Sequence, residues 1–280
     1  MNIEKAIKEA STNLKKKKIK TALLDCEILM SKALNKDKKF IILNSDKEIN
    51  ENDYKNFKKL VSCRLKKKPI AYLIGKKSFW KYDFKINEKV LIPRPDSELI
   101  IEQVLKIYKN KERINFLEIG VGSGCLILSI LKEKRSFLGK GVDLSKDSLK
   151  ICKANADMLH LSERLKLFKS DIDNFSLGKY DLIISNPPYV KNLDLKNLDE
   201  EVVKFEPKIA LDGGLDGLSE IRKVIKKSSE LIKFHGKLIL EIAHDQKKEV
   251  KKILKSNNFY INNVVKDFAK NDRCIISTKI

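Results

Sequence analysis

The sequence predicts an α/β chain in which a small helical domain precedes a mostly parallel, doubly wound sheet. Two observations lead to this. From Asn115 onward, short aliphatic runs alternate with amphipathic segments, the pattern of parallel strands joined by crossover helices. Before about residue 68, apolar residues recur instead at helical spacing.

Taken in order, Ile3, Ala6, Ile7, Ala10 and Leu14 give a first helix one apolar face. Leu23, Cys26, Leu29 and Ala33 do the same for a second, and Tyr54, Phe57, Leu60 and Val61 for a third. Pro69 is expected to close the last of these helices, within a helical domain spanning 1–74. Phe79, Trp80, Tyr82, Phe84 and Ile86 then change the pattern to strand or hairpin, so 75–95 reads as a connector. Pro95, Asp96 and Ser97 ahead of Glu98 and the apolar Leu99–Ile101 form a good helix start, and capping alone would explain much of it. Across 96–280 follow "NFLEIG", a helix near 124–133, "GKGVDL", a helix from 145, "LKLFKS", "DLIISN", a helix from 217, "GKLILEIA" and a helix from 245. The final runs, "YINNVV" and "RCIISTKI", have no helix between them and should pair as an antiparallel edge.

Composition narrows the class. The 280 residues are 42% hydrophobic, enough for packed cores. No apolar run approaches the ~18 to 20 residues that span a bilayer, and "MNIEKAIKEA" lacks the apolar stretch of a signal peptide, so a cytoplasmic protein without a membrane partner is expected. Cys26, Cys63, Cys125, Cys152 and Cys274 are odd in number and never spaced C-x-x-C, which reads as reduced, hydrophobic cysteines. With His160, His235 and His244 scattered, no metal site is expected. The net charge of +21 invites a polyanion, but only seven of the 59 basic residues are arginine, the side chain favoured for phosphate and base readout. Lys15–Lys18 and Lys66–Lys68 read as solvated surface; nucleic acid is permitted as a neighbour, not required.

In doubly wound sheets ligands lie beyond the carboxyl ends of the strands. The first strand ends in "LEIGVGSG": Glu118, then Gly120, Val121, Gly122, Ser123 and Gly124, where glycines let the backbone turn sharply and approach a ligand. The second ends at Asp143, 23 residues after Gly120, where a carboxylate can accept both hydroxyls of a ribose. Together they point to an adenosine-bearing cofactor. The G-x-G-x-G spacing differs from the dinucleotide G-x-G-x-x-G, and no basic residue stands in the loop for a phosphate. Glu118 at the loop mouth would repel a pyrophosphate and favour a cationic ligand.

That combination resembles the first motif of class I S-adenosylmethionine-dependent methyltransferases, which implies a Rossmann-like, seven-stranded, mostly parallel sheet. The third strand's end, "SDI", would then set Asp171 beside the adenine amino group and Ile172 against the ring, although Asp171 could equally be a turn cap. The fourth ends in "NPPY", Asn186, Pro187, Pro188 and Tyr189. An amide or exocyclic amine nitrogen is a poor nucleophile because its lone pair is delocalised, so it needs orientation more than deprotonation. The Asn186 side-chain oxygen and the Pro187 carbonyl could each accept one N–H of a planar NH₂ group, with the prolines fixing the carbonyl and Tyr189 packing the substrate.

The chain as a whole resembles the HemK/PrmC family of protein-(glutamine-N5) methyltransferases. "KPIAYLIGKKSFW", "VLIPRPDSELI", "FEPKIALDGGLDGL", "EIAHDQ" and "KDFAKNDR" look like that family's segments, in its order. The resemblance implies S-adenosyl-L-methionine as cofactor and class-one peptide chain release factors as protein substrates, methylated on the glutamine of Gly-Gly-Gln. It implies cofactor contacts from Gly120–Gly124, Asp143 and Asn186, a glutamine held by Asn186–Tyr189, and a helical domain that helps embrace the substrate. Glu118 stands where the family usually has aspartate, and Ile172 where it often has tryptophan. A lid role for "FEPKIALDGGLDGL" follows from its position after the catalytic loop.

Two rivals are kept. A nucleic-acid amino-methyltransferase would use "NPPY" on adenine or cytosine, but usually with a base-recognition domain beyond the catalytic core. A non-catalytic adenosine-binding or RNA-interacting module is opposed by the intact motif set. A monomer is expected, because no exposed apolar seam is evident in the helical half.

Overall fold

Asn2 accepts the N–H of Lys5 at 2.9 Å and so starts α1 (Ile3–Lys16). Asp37 and Asn50 do the same for α3 (Lys38–Leu43) and α4 (Glu51–Leu65), with α2 (Ala22–Leu34) before them. The first helix buries Ile3, Ala6, Ile7, Ala10 and Leu14 in one cluster with Cys26, Leu29 and Met30 of α2 and Phe57 and Val61 of α4. Leu23, expected inside, is exposed, as are Leu24, Ile42 and Leu43. Nor does Pro69 close α4. That helix ends at Leu65, the chain turns through Lys67 at φ +71°, and Pro69 opens a further short helix, α5 (Ile70–Ile74), where its missing N–H costs nothing.

The computed structural model describes residues 1–280, and they form two compact units, Met1–Lys76 with Asp199–Phe205, and Lys77–Leu198 with Glu206–Ile280. In the first, the Arg64 guanidinium is buried and donates to Asp25 at 2.7 Å, to Glu201 at 2.7 Å and to the Lys68 carbonyl at 3.1 Å. Glu201 lies on a six-residue helix far along the chain. The hairpin β1 (Lys76–Phe79) and β2 (Tyr82–Lys85) leads into the second unit, and the stretch read as a connector is built into that unit's core through Phe79 and Phe84.

The second unit then runs α6 (Glu98–Ile107), β3 (Asn115–Ile119), α7 (Cys125–Glu133), β4 (Leu138–Asp143), α8 (Lys146–Met158), β5 (Leu165–Lys169) and β6 (Tyr180–Ser185). After α9 (Glu200–Phe205), which belongs to the first unit, come α10 (Ser219–Leu231), β7 (Ile232–Glu241), α11 (Lys247–Ser256), β8 (Phe259–Lys266) and β9 (Asp272–Lys279). Seven strands form one sheet in the order β5-β4-β3-β6-β7-β9-β8. All neighbours from β5 to β7 pair parallel; β9 pairs antiparallel with both β7 and β8, so the last two strands form the expected antiparallel pair with β8 at the edge.

Side chains alternate across this sheet and both faces are covered. Phe116, Leu182 and Ile184 join Ile127 and Leu131 of α7 and Val104 of α6 on one side. Leu117 and Ile183 join Ile221 and Ile225 of α10 and Leu254 of α11 on the other. The strand order reverses direction at β3, between β4 and β6, which is where such sheets open a crevice at their carboxyl ends. All five cysteines are free thiols. No helix is long and apolar enough to cross a membrane.

Candidate active site

A cavity of about 710 Å³ opens at that crevice, within the size range of small-molecule sites. Gly120 and Gly122 line it from the loop after β3, Asp143 from the end of β4, Asp171 and Ile172 from the end of β5, and Asn186, Pro187 and Pro188 from the end of β6. Four strand ends chosen from the sequence therefore meet at one space. Pro207–Ala210, Asp212 and Gly214 add a wall from the segment after α9.

Gly120 and Gly122 sit at φ +78° and +52°, and a Cβ on either would meet no atom within 4 Å. Their backbone faces open space, at dihedrals that favour glycine. Gly124 differs: a Cβ there would lie 2.5 Å from the Cys152 sulfur, so this glycine serves loop-to-helix packing. Val121, Ser123 and Gly124 stand behind the cavity wall, and the Ser123 carbonyl accepts from the buried Asn155 side chain at 2.9 Å. Glu118 is not at the loop mouth. It is buried beneath the loop and accepts the N–H of Ile127 at 2.9 Å, because the first turn of α7 offers unsatisfied amides there. Burial pushes its carboxyl well above the usual range.

Asp143 accepts from Ser145 N–H at 2.8 Å and Gly122 N–H at 2.9 Å, tying the glycine loop to β4. The Ser148 side chain gives this carboxylate a third hydrogen bond, which leaves one of its roughly four lone-pair sites. Burial raises its pKa, and the same two amides oppose that rise. Asp171 lines the cavity and also accepts from Asp173 N–H at 3.0 Å, so its capping role is present in the fold.

The loop after β6 is held from several sides. Ser185 donates to the Ile119 carbonyl at 2.7 Å, joining the ends of β6 and β3. Asn186 donates through Nδ2 to Ser97 Oγ at 3.0 Å, Ser97 donates to Glu241 at 2.5 Å, and Tyr189 Oη donates to the other Glu241 oxygen at 3.1 Å. Tyr189 thus turns from the cavity toward the end of β7, and burial beside Glu241 keeps its phenol protonated by raising its pKa. Gln246, nearly buried, donates to the carbonyls of Tyr189 at 3.1 Å and Gly217 at 2.9 Å. Val190 exchanges backbone hydrogen bonds with Leu211 and Gly213, stitching the loop to the following segment.

Sequence reasoning missed Ser97, Asn155, Glu206, Glu241 and Gln246 as individuals. Four lie in or beside the segments singled out above, and Ser97 was read as a cap. It makes no capping hydrogen bond; its hydroxyl is claimed by Glu241. Glu206 is buried, accepts from Ile92 N–H at 3.1 Å and pairs with Arg94, which fastens "PRPDS" to "FEPK".

Comparison with known proteins decides what the arrangement belongs to. The family model "PrmC N-terminal domain" matches residues 5–75 and "Methyltransferase small domain" matches 95–267. A release factor glutamine methyltransferase of Clostridium acetobutylicum is 34% identical over 100% of this chain and 99% of its own length. Another from Fusobacterium nucleatum is 36% identical over 95% of this chain and 76% of its own. The chain belongs to the HemK/PrmC family of release factor glutamine methyltransferases. The fold agrees: a methyltransferase from Pyrococcus furiosus superposes with a TM-score of 0.52 at 18% identity, covering 70% of this chain and 88% of that one.

As a HemK/PrmC methyltransferase the protein takes its methyl group from S-adenosylmethionine, and the cavity fits that donor. It offers two glycines facing open space, the Asp143 carboxylate at the end of β4, and apolar walls from Ile172 and Val142. In this family member the loop position is set by close backbone packing. A Cβ on Gly213 would lie 2.7 Å from the Gly217 carbonyl oxygen and 2.8 Å from the Tyr189 Cα. Backbone cannot swing aside, so Gly213→Ala should cost roughly 1–3 kcal/mol of overpacking and slow methyl transfer about tenfold by displacing the loop. Denaturant midpoints and initial rates would check this; a variant unchanged in both would show that the loop has slack.

Proposed function

We propose that this chain transfers a methyl group from S-adenosylmethionine to the side-chain amide nitrogen of a glutamine in class-one peptide chain release factors, at their Gly-Gly-Gln motif. The observation that carries the reading is a pair of adjacent acceptors at the cavity wall. Neither Asn186 Oδ1 nor the Pro187 carbonyl receives a hydrogen bond from within the chain. Two acceptors on consecutive residues match the two N–H groups of one carboxamide. Such a clamp orients the nitrogen and supports its pyramidalisation without a base; well-oriented reactants can gain up to ~7–11 kcal/mol.

Gly120 and Gly122 would give the cofactor's aminoacyl end close backbone approach, Asp143 would accept a ribose hydroxyl, and Asp171 and Ile172 would receive the adenine. S-adenosylmethionine supplies the methyl on a sulfonium and leaves as S-adenosylhomocysteine. Asn186 and Pro187 hold the accepting nitrogen, and the amide proton is released to solvent. Leu193, Ile209 and Leu215 are largely exposed beside the site, Leu215 at 84%, which suits a protein substrate more than a polyanion.

Mass spectrometry tests the reading. A release factor incubated with the chain and S-adenosylmethionine should gain one methylene unit, mapped to the glutamine of Gly-Gly-Gln. A labelled-methyl run with tRNA and DNA in competition should leave the nucleic acids unlabelled. Label in nucleic acid alone would overturn the substrate while leaving the amine clamp standing.

A further inference from the structure

Asparagine has two nearly isosteric ends, and a clamp that accepts hydrogen bonds from glutamine works only if the oxygen end faces the cavity. With the ends exchanged, Asn186 would present its own N–H groups to the substrate's and repel it. Something must choose. In this fold Asn186 touches Ser97 Oγ through its side chain, and Ser97 is buried at 3% exposure.

A serine hydroxyl has one proton to give and can accept with its lone pairs. Ser97 gives that proton to Glu241, which is 1% exposed and is the nearer partner at 2.5 Å against 3.0 Å for Asn186. An ionised carboxylate only accepts. Glu241 receives Ser97 on one oxygen and Tyr189 on the other; burial raises its pKa, and these two hydrogen bonds and the charge of Arg273 oppose that rise. With its proton committed, Ser97 has only lone pairs to offer Asn186. The NH₂ end must then turn to Ser97 and the oxygen end to the cavity.

We propose that Ser97 and Glu241 form a one-way hydrogen-bond relay that fixes the orientation of the Asn186 amide and so makes the methyl-acceptor clamp competent. Ser97 is a positioning residue, acting through Asn186 and touching neither substrate nor cofactor. The chain of bonds from an anion also polarises Asn186 Oδ1 and strengthens it as an acceptor. The same carboxylate fixes Tyr189, so Glu241 holds the first and last residues of "NPPY". This inference rests on the glutamine clamp proposed above, and its test separates the two.

Ser97→Ala should lower kcat for a release factor by about 10- to 100-fold, in line with a modest misplacement of a reacting group. S-adenosylmethionine Kd should stay near wild type, while the thermal midpoint should fall modestly, by the cost of one buried hydrogen bond. Ser97→Thr keeps the hydroxyl and should restore most of the rate, which a role in packing the helix start would not require. In an Asn186→Ala background, adding Ser97→Ala should cost nothing more, since the residue it acts through is gone. Full additivity, or wild-type kcat in Ser97→Ala, would overturn the relay. A substrate-free readout covers the case in which wild type leaves release factors unmodified, which would sink the function instead. In the side-chain amide spectrum of nitrogen-15-labelled protein, the Asn186 NH₂ pair is identified by its loss in Asn186→Ala. One of its protons should be shifted by the bond to Ser97 and should move toward the free-amide position in Ser97→Ala; an unmoved pair would refute the relay.

Discussion

Asn186→Ala should lower kcat for release-factor methylation by about 10²- to 10³-fold, the scale seen when one preorganised hydrogen-bonding group is removed from a reacting centre. S-adenosylmethionine affinity should fall far less. The asymmetry follows from the geometry. The glycine loop, Asp143 and the β5 end line the rest of the cavity and are untouched by the change. What disappears is one of two acceptors at its wall, leaving the Pro187 carbonyl to hold a carboxamide by a single bond, about which it can rotate. Alanine also leaves Ser97 and Glu241 bonded to each other, so the fold around the loop should survive. Single-turnover rates beside equilibrium titration of the cofactor would measure both effects. Equal losses in rate and affinity would mean that Asn186 is mainly a cofactor ligand.

Arg64→Leu should destabilise the helical unit by about 3–5 kcal/mol, the cost of leaving buried charges without their counterion. Arg64 and Asp25 have side chains only 5% and 4% exposed, and the guanidinium also satisfies Glu201 and the Lys68 carbonyl. Leucine fills part of the volume but strands the buried Asp25 carboxylate without its counterion. Small domains hold only a few kcal/mol in reserve, so calorimetry should show the helical unit melting well before the rest. Replacing Asp25 by Asn in the same chain should recover part of the loss. A drop below about 1 kcal/mol would show that water reaches the pair.

Most of the sheet could be read from the sequence because strands covered on both faces are written as short aliphatic runs, such as "DLIIS" and "LILE", that alternate with longer amphipathic segments and are each cut short by a turn residue. The strand ends were legible for the same reason: Gly120, Asp143, Asp171 and Asn186 interrupt those runs. Orientation was not. Nothing local says that Glu118 turns under the loop to meet Ile127 N–H, since that depends on where α7 begins in space. Ser97 follows Pro95 and Asp96 and precedes Glu98 as a cap would, yet its partner is 144 residues away. Pro69 could end one helix or begin another, and the positive φ of Lys67 decides for the second. The run 199–205 gave no signal at all, because α9 is six residues long, buries none of them, and is placed by an ion pair.

That run alters what the chain is as an object. Between the loop that ends β6 and the wall supplied by Pro207–Ala210, the polypeptide leaves the sheet-bearing unit, contributes α9 to the helical one, and returns at Glu206. The boundary is thus crossed three times, after Lys76, Leu198 and Phe205. The helical unit is therefore discontinuous in sequence, built from Met1–Lys76 and Asp199–Phe205. Expressing residues 77–280 alone would keep α9 but take away Arg64, and expressing 1–76 alone would keep Arg64 but take away Glu201. Neither cut leaves the helical unit with both halves of its Arg64–Glu201 pair, so an excised helical domain needs 199–205 supplied with it.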